Sequence, residues 1–120
     1  SLEEFEKVQK GKYMLPQIQE YKGHPQKAVF LLGNFKDAPA ETDKIILQHH
    51  EHPMGSGFPN QLTSNYISPL ASLFIIAHDL TDFIIDTGKL DPEAFLTQYS
   101  QKYSAGNFKK IAKALTSFTL

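Results

Sequence analysis

Apolar residues recur every three or four positions through most of the chain, which is the spacing of one face of an α-helix. This period predicts helices at residues 2–9, 13–21, 25–35, 41–50, 70–85 and 92–103, and a last helix from residue 107 onward. No stretch alternates apolar and polar side chains in the way that a half-buried β-strand does. The pattern therefore predicts an all-α fold.

Glycine, proline and small polar residues mark the ends of the predicted helices. Gly23 is expected to end the helix at residues 13–21, and Pro25 is expected to begin the next one, because proline suits the first helical turn. Residues 52–67 are rich in Gly, Pro, Asn, Ser and Thr and predict an unusually long loop. Three further residues are predicted helix N-caps: Ser68, Asp91 and Asn107.

The longest and most apolar predicted helix lies at residues 70–85, so we expect it to form the centre of the core. It carries His78, Asp79 and Asp82 through an otherwise apolar stretch. The large aromatic side chains are expected to fill the core and not to stack on a ligand. They are Phe74, Phe83, Phe95, Phe108 and Phe118.

Composition limits the classes of function. The chain has 120 residues, which fits one small domain. Its net charge is −1, so it lacks the strong positive electrostatic field that would attract a nucleic-acid polymer or an anionic membrane. It has no cysteine, which excludes disulfides, thiolate zinc sites and a cysteine nucleophile. The longest apolar run, residues 73–77, is too short to span a bilayer. A cytoplasmic location is therefore expected.

Candidate chemistry is concentrated where an apolar run leads into His49 and His50. Neighbouring side chains on a helix diverge by about 100°, yet both can border one pocket. In the loop that follows, Gly55 and Gly57 permit backbone conformations that other residues avoid, and Pro59 ends the turn. Such a loop is expected to form a fixed wall beside the two histidines.

The run His49-His50-Glu51, followed by Gly55-Ser56-Gly57-Phe58-Pro59, resembles the signature of HD-GYP domains, which belong to the HD superfamily of metal-dependent phosphohydrolases. The resemblance implies a helical bundle of about five to six helices with a long loop after the helix that bears the histidine pair. It also implies bacterial second-messenger signalling, in which these domains hydrolyse cyclic di-GMP at a centre of two or three metal ions.

The resemblance covers almost the whole chain and implies metal-ligand roles residue by residue. His24, which precedes a proline and lies 25 residues before His49, falls at a ligand position of the family. His49 and His50 fall at two more, and Glu51 is expected to support the pair from beside it. Neutral imidazoles suit iron, zinc or manganese, and carboxylates around them would orient the rings.

The last ligand of the family, an aspartate, aligns with His78, and Asp79 follows one place later. Either His78 replaces the aspartate or a shift of one residue makes Asp79 the ligand, and a polar pair hydrogen-bonded near the core fits the pattern equally well. The His-Asp dyad of the family should fall at or just upstream of Ser1. The single domain at residues 1–120 is therefore interpreted as the C-terminal part of an HD-GYP-like domain, without that dyad.

Several positions depart from the family pattern. Met54 stands in place of the aspartate before the first loop glycine, Phe58 in place of the tyrosine, and Ser72 in place of an arginine. The Arg-Pro-Tyr segment of the family has no counterpart between Asp82 and Leu90. The arginine losses weaken phosphate recognition.

Two functions of different classes remain open. One is a divergent metal-dependent phosphodiesterase related to the enzymes that act on cyclic di-GMP, without activity as this chain alone. The other is a non-catalytic regulatory module that docks signalling-protein domains through the loop at Gly55, Gly57, Phe58 and Pro59. In either case we expect residues 55–59 to be ordered, because burying Phe58 contributes on the order of 1.5–3 kcal/mol. Residues 63–65, which are small and polar, are expected to be more mobile.

Overall fold

The structure is a computed structural model that describes residues 15–117, with the backbone alone for Leu15. Within this range the chain forms helices and no β-strand, which confirms the all-α prediction. The helix predicted at residues 2–9, and Phe118, lie outside the described residues. The helices are α1 Leu15–Leu32, α2 Thr42–Gln48, α3 Pro69–Thr87, α4 Pro92–Gln98 and α5 Gly106–Leu115.

Helix α1 is one continuous helix where two short ones were predicted. Gly23 does not end it, and Pro25 lies in its interior instead of at its start. Interior glycine and proline disfavour a helix by roughly 1 and 3 kcal/mol relative to alanine, so other contacts must compensate. Pro25 is fully buried. The predicted break was wrong because packing of this helix outweighs the local preferences of the two residues.

Helix α2 is shorter than predicted. It begins after Glu41, whose φ is 67°, and ends at Gln48, so that His49 and His50 follow the helix instead of belonging to it. None of its own residues is buried. It contacts both α1 and α3.

Both ends of α3 are defined by capping residues. The Ser68 hydroxyl accepts a hydrogen bond from the Ala71 amide at 3.1 Å, and Pro69 is the first helical residue, as predicted. The helix ends at Gly88, which has a φ of 72° and donates its amide to the Ile84 carbonyl at 2.7 Å. These caps define the longest helix of the described residues.

The core lies between α3, α4 and α5. Phe74 is not part of it, because α3 buries the face that carries Ala71 and Ile75, and Phe74 is 44% exposed. Its ring instead meets the His49 ring edge-on, with centroids 6.2 Å apart. The prediction of a core role for Phe74 was therefore wrong, whereas it is confirmed for three other phenylalanines. The buried apolar residues are Ile67, Ala71, Ile75, Ile76, Phe83, Phe95, Tyr103 and Phe108.

Two helix ends near the C-terminus differ from the prediction. Helix α4 ends at Gln98, and the turns that follow bring the buried Tyr103 back towards α3. Helix α5 begins at Gly106, so Asn107 is not its N-cap. Gly106 has a φ of 61°, and a Cβ there would meet the Ser64 Cβ at 3.2 Å. Glycine thus allows the start of α5 to lie against the long loop.

None of the described helices combines the length and apolar character that crossing a membrane requires.

Candidate metal centre

His24 is held in position by its own helix. Pro25 has no N–H to donate to the carbonyl of Tyr21, which lies four residues earlier on α1. The His24 ring takes up this carbonyl, with Nδ1 2.5 Å from the Tyr21 oxygen. A carbonyl only accepts hydrogen bonds, so Nδ1 of His24 carries the proton and Nε2 keeps its lone pair in the neutral ring.

His49 is oriented in the same way by a different helix. Helix α2 ends at Gln48, and the carbonyls of a last helical turn have no following amide to bind. Nδ1 of His49 lies 2.5 Å from one of them, the Ile46 oxygen. Nδ1 is again the donor, so Nε2 of His49 also keeps its lone pair. Histidines that bind metals commonly donate their second ring N–H to such a group, which fixes the tautomer.

The three histidines expected from the sequence to be ligands come together. Nε2 of His24 lies 3.3 Å from Nε2 of His49, and one ring nitrogen each of His24, His49 and His50 lies within 4.8 Å of the others. Two nitrogens bound at about 2.0–2.1 Å to one tetrahedral zinc ion are roughly 3.3–3.4 Å apart. The residues present therefore fit a divalent ion, and we call this group the histidine cluster.

Aromatic rings close one side of the histidine cluster. The Phe58 ring stacks on the His50 ring, with centroids 4.7 Å apart and an interplanar angle of 14°. Tyr21 contacts both rings, with centroid distances of 5.6 Å to His50 and 5.5 Å to Phe58. Phe58 thus packs against neighbouring rings, whereas the order of residues 55–59 stays a prediction. Apolar surroundings of this kind limit the access of water and strengthen electrostatic interactions with an ion.

Burial favours the neutral form of two of the three imidazoles, His49 and His50. It lowers the pKa of the His50 imidazole from 6.5 to about 3, with smaller effects in the same direction from His49, His24 and His78. Burial also lowers the pKa of His49, partly opposed by the hydrogen bond to Ile46. Metal ions bind the neutral form of histidine. These pKa values therefore keep ligand lone pairs available at neutral pH.

Glu51 anchors the loop. Its buried carboxylate is only 3% exposed and accepts hydrogen bonds from the Asn60 and Leu62 amides, both at 2.8 Å. The two bonds hold the backbone just after Phe58 and Pro59. Glu51 thus holds the loop that lies beside the histidine cluster, and the two hydrogen bonds that it accepts come from loop amides and not from the imidazole rings.

The two loop glycines have different roles. A Cβ on Gly57 would lie 2.4 Å from both the His50 oxygen and the His52 nitrogen, so only glycine allows the loop this close to the histidine segment. Gly55 has a φ of 87°, a backbone conformation that L side chains rarely adopt. The Phe58 amide then donates to the His50 carbonyl at 3.1 Å. The expected wall is therefore present.

The second half of the loop is also fixed. The Ser64 amide donates to the Pro53 carbonyl at 2.9 Å, Ser64 is buried, and Thr63 forms an isolated bridge with Met54. Residues 63 and 64 are thus held by contacts with the start of the loop, and the expected mobility of residues 63–65 stays a prediction. That expectation considered only the side chains, whereas the contacts here are made largely by the backbone.

His78 and Asp79 do not join the histidine cluster in the described structure. Asp79 accepts hydrogen bonds from Lys102 Nζ at 2.8 Å and from the Tyr103 hydroxyl at 2.6 Å, which bind the segment before α5 to α3. His78 is exposed and lies 3.4 Å from Asp82 on its own helix. The hydrogen-bonded alternative for Asp79 thus describes its contacts.

Sequence reasoning missed two residues that shape the site. Tyr21 provides both the carbonyl for His24 and a ring against Phe58. Gln48 accepts a hydrogen bond from the Ser68 amide at 2.8 Å and so joins the end of α2 to the start of α3. Neither has a local signal, because each acts on a partner brought near by folding.

A groove of about 430 Å³ lies beside the centre, between α1 and the loop. Phe58 separates the groove from His50, and Lys22 supplies the positive charge among its lining side chains. The other lining residues are Gln19, Gly23, Gln26, Ser56, Gly57, Pro59 and Gln61.

The chain was compared with protein families, curated proteins and solved structures. A family model described as an HD domain matches residues 3–99, which contain the whole histidine cluster and the long loop. No curated protein and no solved structure matches the chain.

Proposed function

Because this chain belongs to the HD domain family, we propose that it is a divergent HD-GYP-like module of bacterial second-messenger signalling that holds a divalent metal ion on His24, His49 and His50. The observation that carries the proposal is the 3.3 Å separation of the His24 and His49 Nε2 atoms, with both Nδ1 atoms bonded to carbonyls. A role in this signalling would place the module in the cytoplasm.

The ligand set favours zinc, iron or manganese. Imidazole nitrogens suit these ions, and the site offers no sulfur, because the chain has no cysteine. An ion bound there would supply Lewis acidity and could lower the pKa of a bound water. The protein's own part is to hold the rings at fixed separation, to exclude water with Phe58 and Tyr21, and to present the groove with Lys22 to a phosphodiester such as cyclic di-GMP.

We further propose that this chain alone does not turn over cyclic di-GMP. Holding two ions together needs a bridging carboxylate. The two carboxylates that the sequence made candidates are engaged with other groups, Glu51 with two loop amides and Asp79 with Lys102 and Tyr103. Saturable, metal-dependent hydrolysis of cyclic di-GMP by the purified chain would refute this part of the proposal.

Cobalt(II) provides a spectroscopic test of the metal site. Added to the metal-free protein, it should produce visible absorption bands of the intensity typical of low coordination numbers, and zinc should displace it. The variant His49→Ala with His50→Ala should give only the weak bands of hydrated cobalt. Phe35→Ala, at an exposed position outside the site, serves as the matched control. Equal spectra for all three proteins would refute the site.

A docking role is the second candidate, and the exposure of the loop favours it. Met54 is 65% exposed and Tyr66 is 73% exposed, and both belong to the long loop, whereas Phe58 points inward to His50. A signalling-protein domain would therefore contact Met54 and Tyr66 in preference to Phe58. In a binding assay with a candidate partner domain, Met54→Ser with Tyr66→Ser should weaken the complex without changing metal binding.

A further inference from the structure

Pro25 occupies a position that local helix preferences do not explain. It lies inside α1, is fully buried, and directly follows the candidate ligand His24. An ordinary residue at position 25 would donate its amide to the Tyr21 carbonyl, which is the carbonyl that Nδ1 of His24 approaches to 2.5 Å. The amide that Pro25 lacks and the hydrogen bond from the His24 ring thus involve the same atom, the Tyr21 carbonyl oxygen.

We propose that Pro25 is a positioning residue that selects the tautomer of His24. Because proline has no N–H, the Tyr21 carbonyl is reserved for the His24 ring, which must then carry its proton on Nδ1. Nε2 is left with the lone pair and faces Nε2 of His49 at 3.3 Å. This inference rests on the proposed metal site and explains how that site is prepared before an ion arrives.

The orientation of His49 supports this reading. Its Nδ1 bonds to the Ile46 carbonyl, again three residues earlier, and that carbonyl lies in the last turn of α2. The end of α2 therefore leaves a carbonyl for the His49 ring, as Pro25 leaves one for the His24 ring. In the middle of the long helix α1, proline is the residue that withholds an amide without ending the helix at that point.

The test compares Pro25→Ala with Gly23→Ala. Each variant replaces a poor helix former with alanine, and the two positions lie two residues apart in α1. Gly23→Ala is a matched control because a Cβ at position 23 would meet nothing within 4 Å. Pro25→Val, which restores the amide while filling more of the ring's volume, guards against loss of packing. Each protein is studied free of metal, in the presence of a chelator, and then titrated with zinc.

Long-range proton–nitrogen NMR correlations of ¹⁵N-histidine-labelled protein identify the tautomer directly. We expect His24 to be protonated on Nδ1 in the wild type and in Gly23→Ala, and to lose this preference in Pro25→Ala and Pro25→Val. Zinc affinity should fall by about tenfold or more in the position-25 variants, the range seen when a second-shell partner of a histidine ligand is lost. The melting temperature of Gly23→Ala should rise with zinc affinity unchanged.

Retention of the Nδ1–H tautomer in both position-25 variants, or zinc affinities within about twofold of the wild type, would overturn the inference. The metal site and the role of Pro25 can be refuted independently. If the wild type binds no zinc, the proposed metal site fails, whereas the tautomer measurement in chelator still decides the role of Pro25.

Discussion

The Nε2 atoms of His24 and His49 lie 3.3 Å apart, although 25 residues separate them in the sequence. In each ring the opposite nitrogen, Nδ1, donates its N–H to a backbone carbonyl, so each neutral ring keeps a lone pair on Nε2. Such an arrangement is favourable when a cation lies between them. The pair thus joins the middle of α1 and the end of α2 at one candidate metal site.

The low pKa of His50 predicts acid sensitivity. The pKa is about 3 in the folded protein and near 6.5 in the unfolded chain, so between these pH values the unfolded chain binds a proton that the folded protein does not. The free energy of unfolding should therefore fall as the pH falls from about 6.5 towards 3. Urea denaturation of the metal-free protein across this range measures the slope.

His50→Phe provides the control for acid sensitivity. The substitution keeps an aromatic ring beside Phe58 but removes the titrating group. Its stability should depend less steeply on pH over the same range, and the remaining slope should include the contribution of His49, whose pKa is lowered as well. Identical slopes for the two proteins would contradict the assignment to His50.

Gly57→Ala should be strongly destabilising. Its Cβ would lie 2.4 Å from two backbone atoms of the histidine segment, which cannot move aside as a flexible side chain can. We expect a loss of about 1–3 kcal/mol in the free energy of unfolding, the usual cost of overpacking. Thermal denaturation measures this loss, and Gly23→Ala serves as the control because its added methyl group meets open space. Equal stability of Gly57→Ala and the wild type would mean that the loop does not approach His50 closely.

Glu51→Gln should loosen the loop without unfolding the domain. The amide keeps an oxygen acceptor for one loop N–H but presents an NH₂ group to the other. Losing one hydrogen bond to a charged group costs roughly 1.5–3 kcal/mol. Hydrogen exchange should become faster at the Asn60 and Leu62 amides and stay unchanged at the Ala71 amide, which the α3 N-cap Ser68 binds. Unchanged exchange at both loop amides would argue against anchoring by Glu51.

Asp79→Ala should separate structure from metal binding. It removes the partner of Lys102 and of the Tyr103 hydroxyl, and leaves that buried hydroxyl unsatisfied at a cost of about 1–3 kcal/mol. The phenol titration is a second readout, because burial and Asp79 raise the pKa of Tyr103. We expect lower stability, a lower Tyr103 pKa and unchanged metal affinity. Weaker metal binding in this variant would instead make Asp79 a ligand.

The sequence predicted the elements whose signals are local. Ser68, Pro69 and Gly88 define α3 through caps that act within a few residues, and the Ser68 cap at its start was predicted from the sequence. Gly23 and Pro25 misled for the same reason, because their local preferences favour a break that the packing of α1 overrides. Local signals thus fail where tertiary contacts outweigh them.

For the site, the three clustered histidines could be predicted, whereas the supporting residues Tyr21 and Gln48 and the contacts of Asp79 could not. The motif resemblance indicated His24, His49 and His50, and they do come together. The partners of Asp79 come from a segment 23 and 24 residues later in the chain, so no spacing rule could assign them. Contacts of this range follow from the fold and not from the motif.

The central claim is that three histidines hold one divalent ion, and calorimetric titration of the metal-free chain with zinc tests it most directly. The wild type and His78→Ala should each bind one zinc ion per chain, with a dissociation constant on the order of micromolar or weaker, as befits a partial ligand set. His24→Ala and His49→Ala should each bind at least about tenfold more weakly. Absence of zinc binding by the wild type, or equal affinities for all four proteins, would contradict the claim.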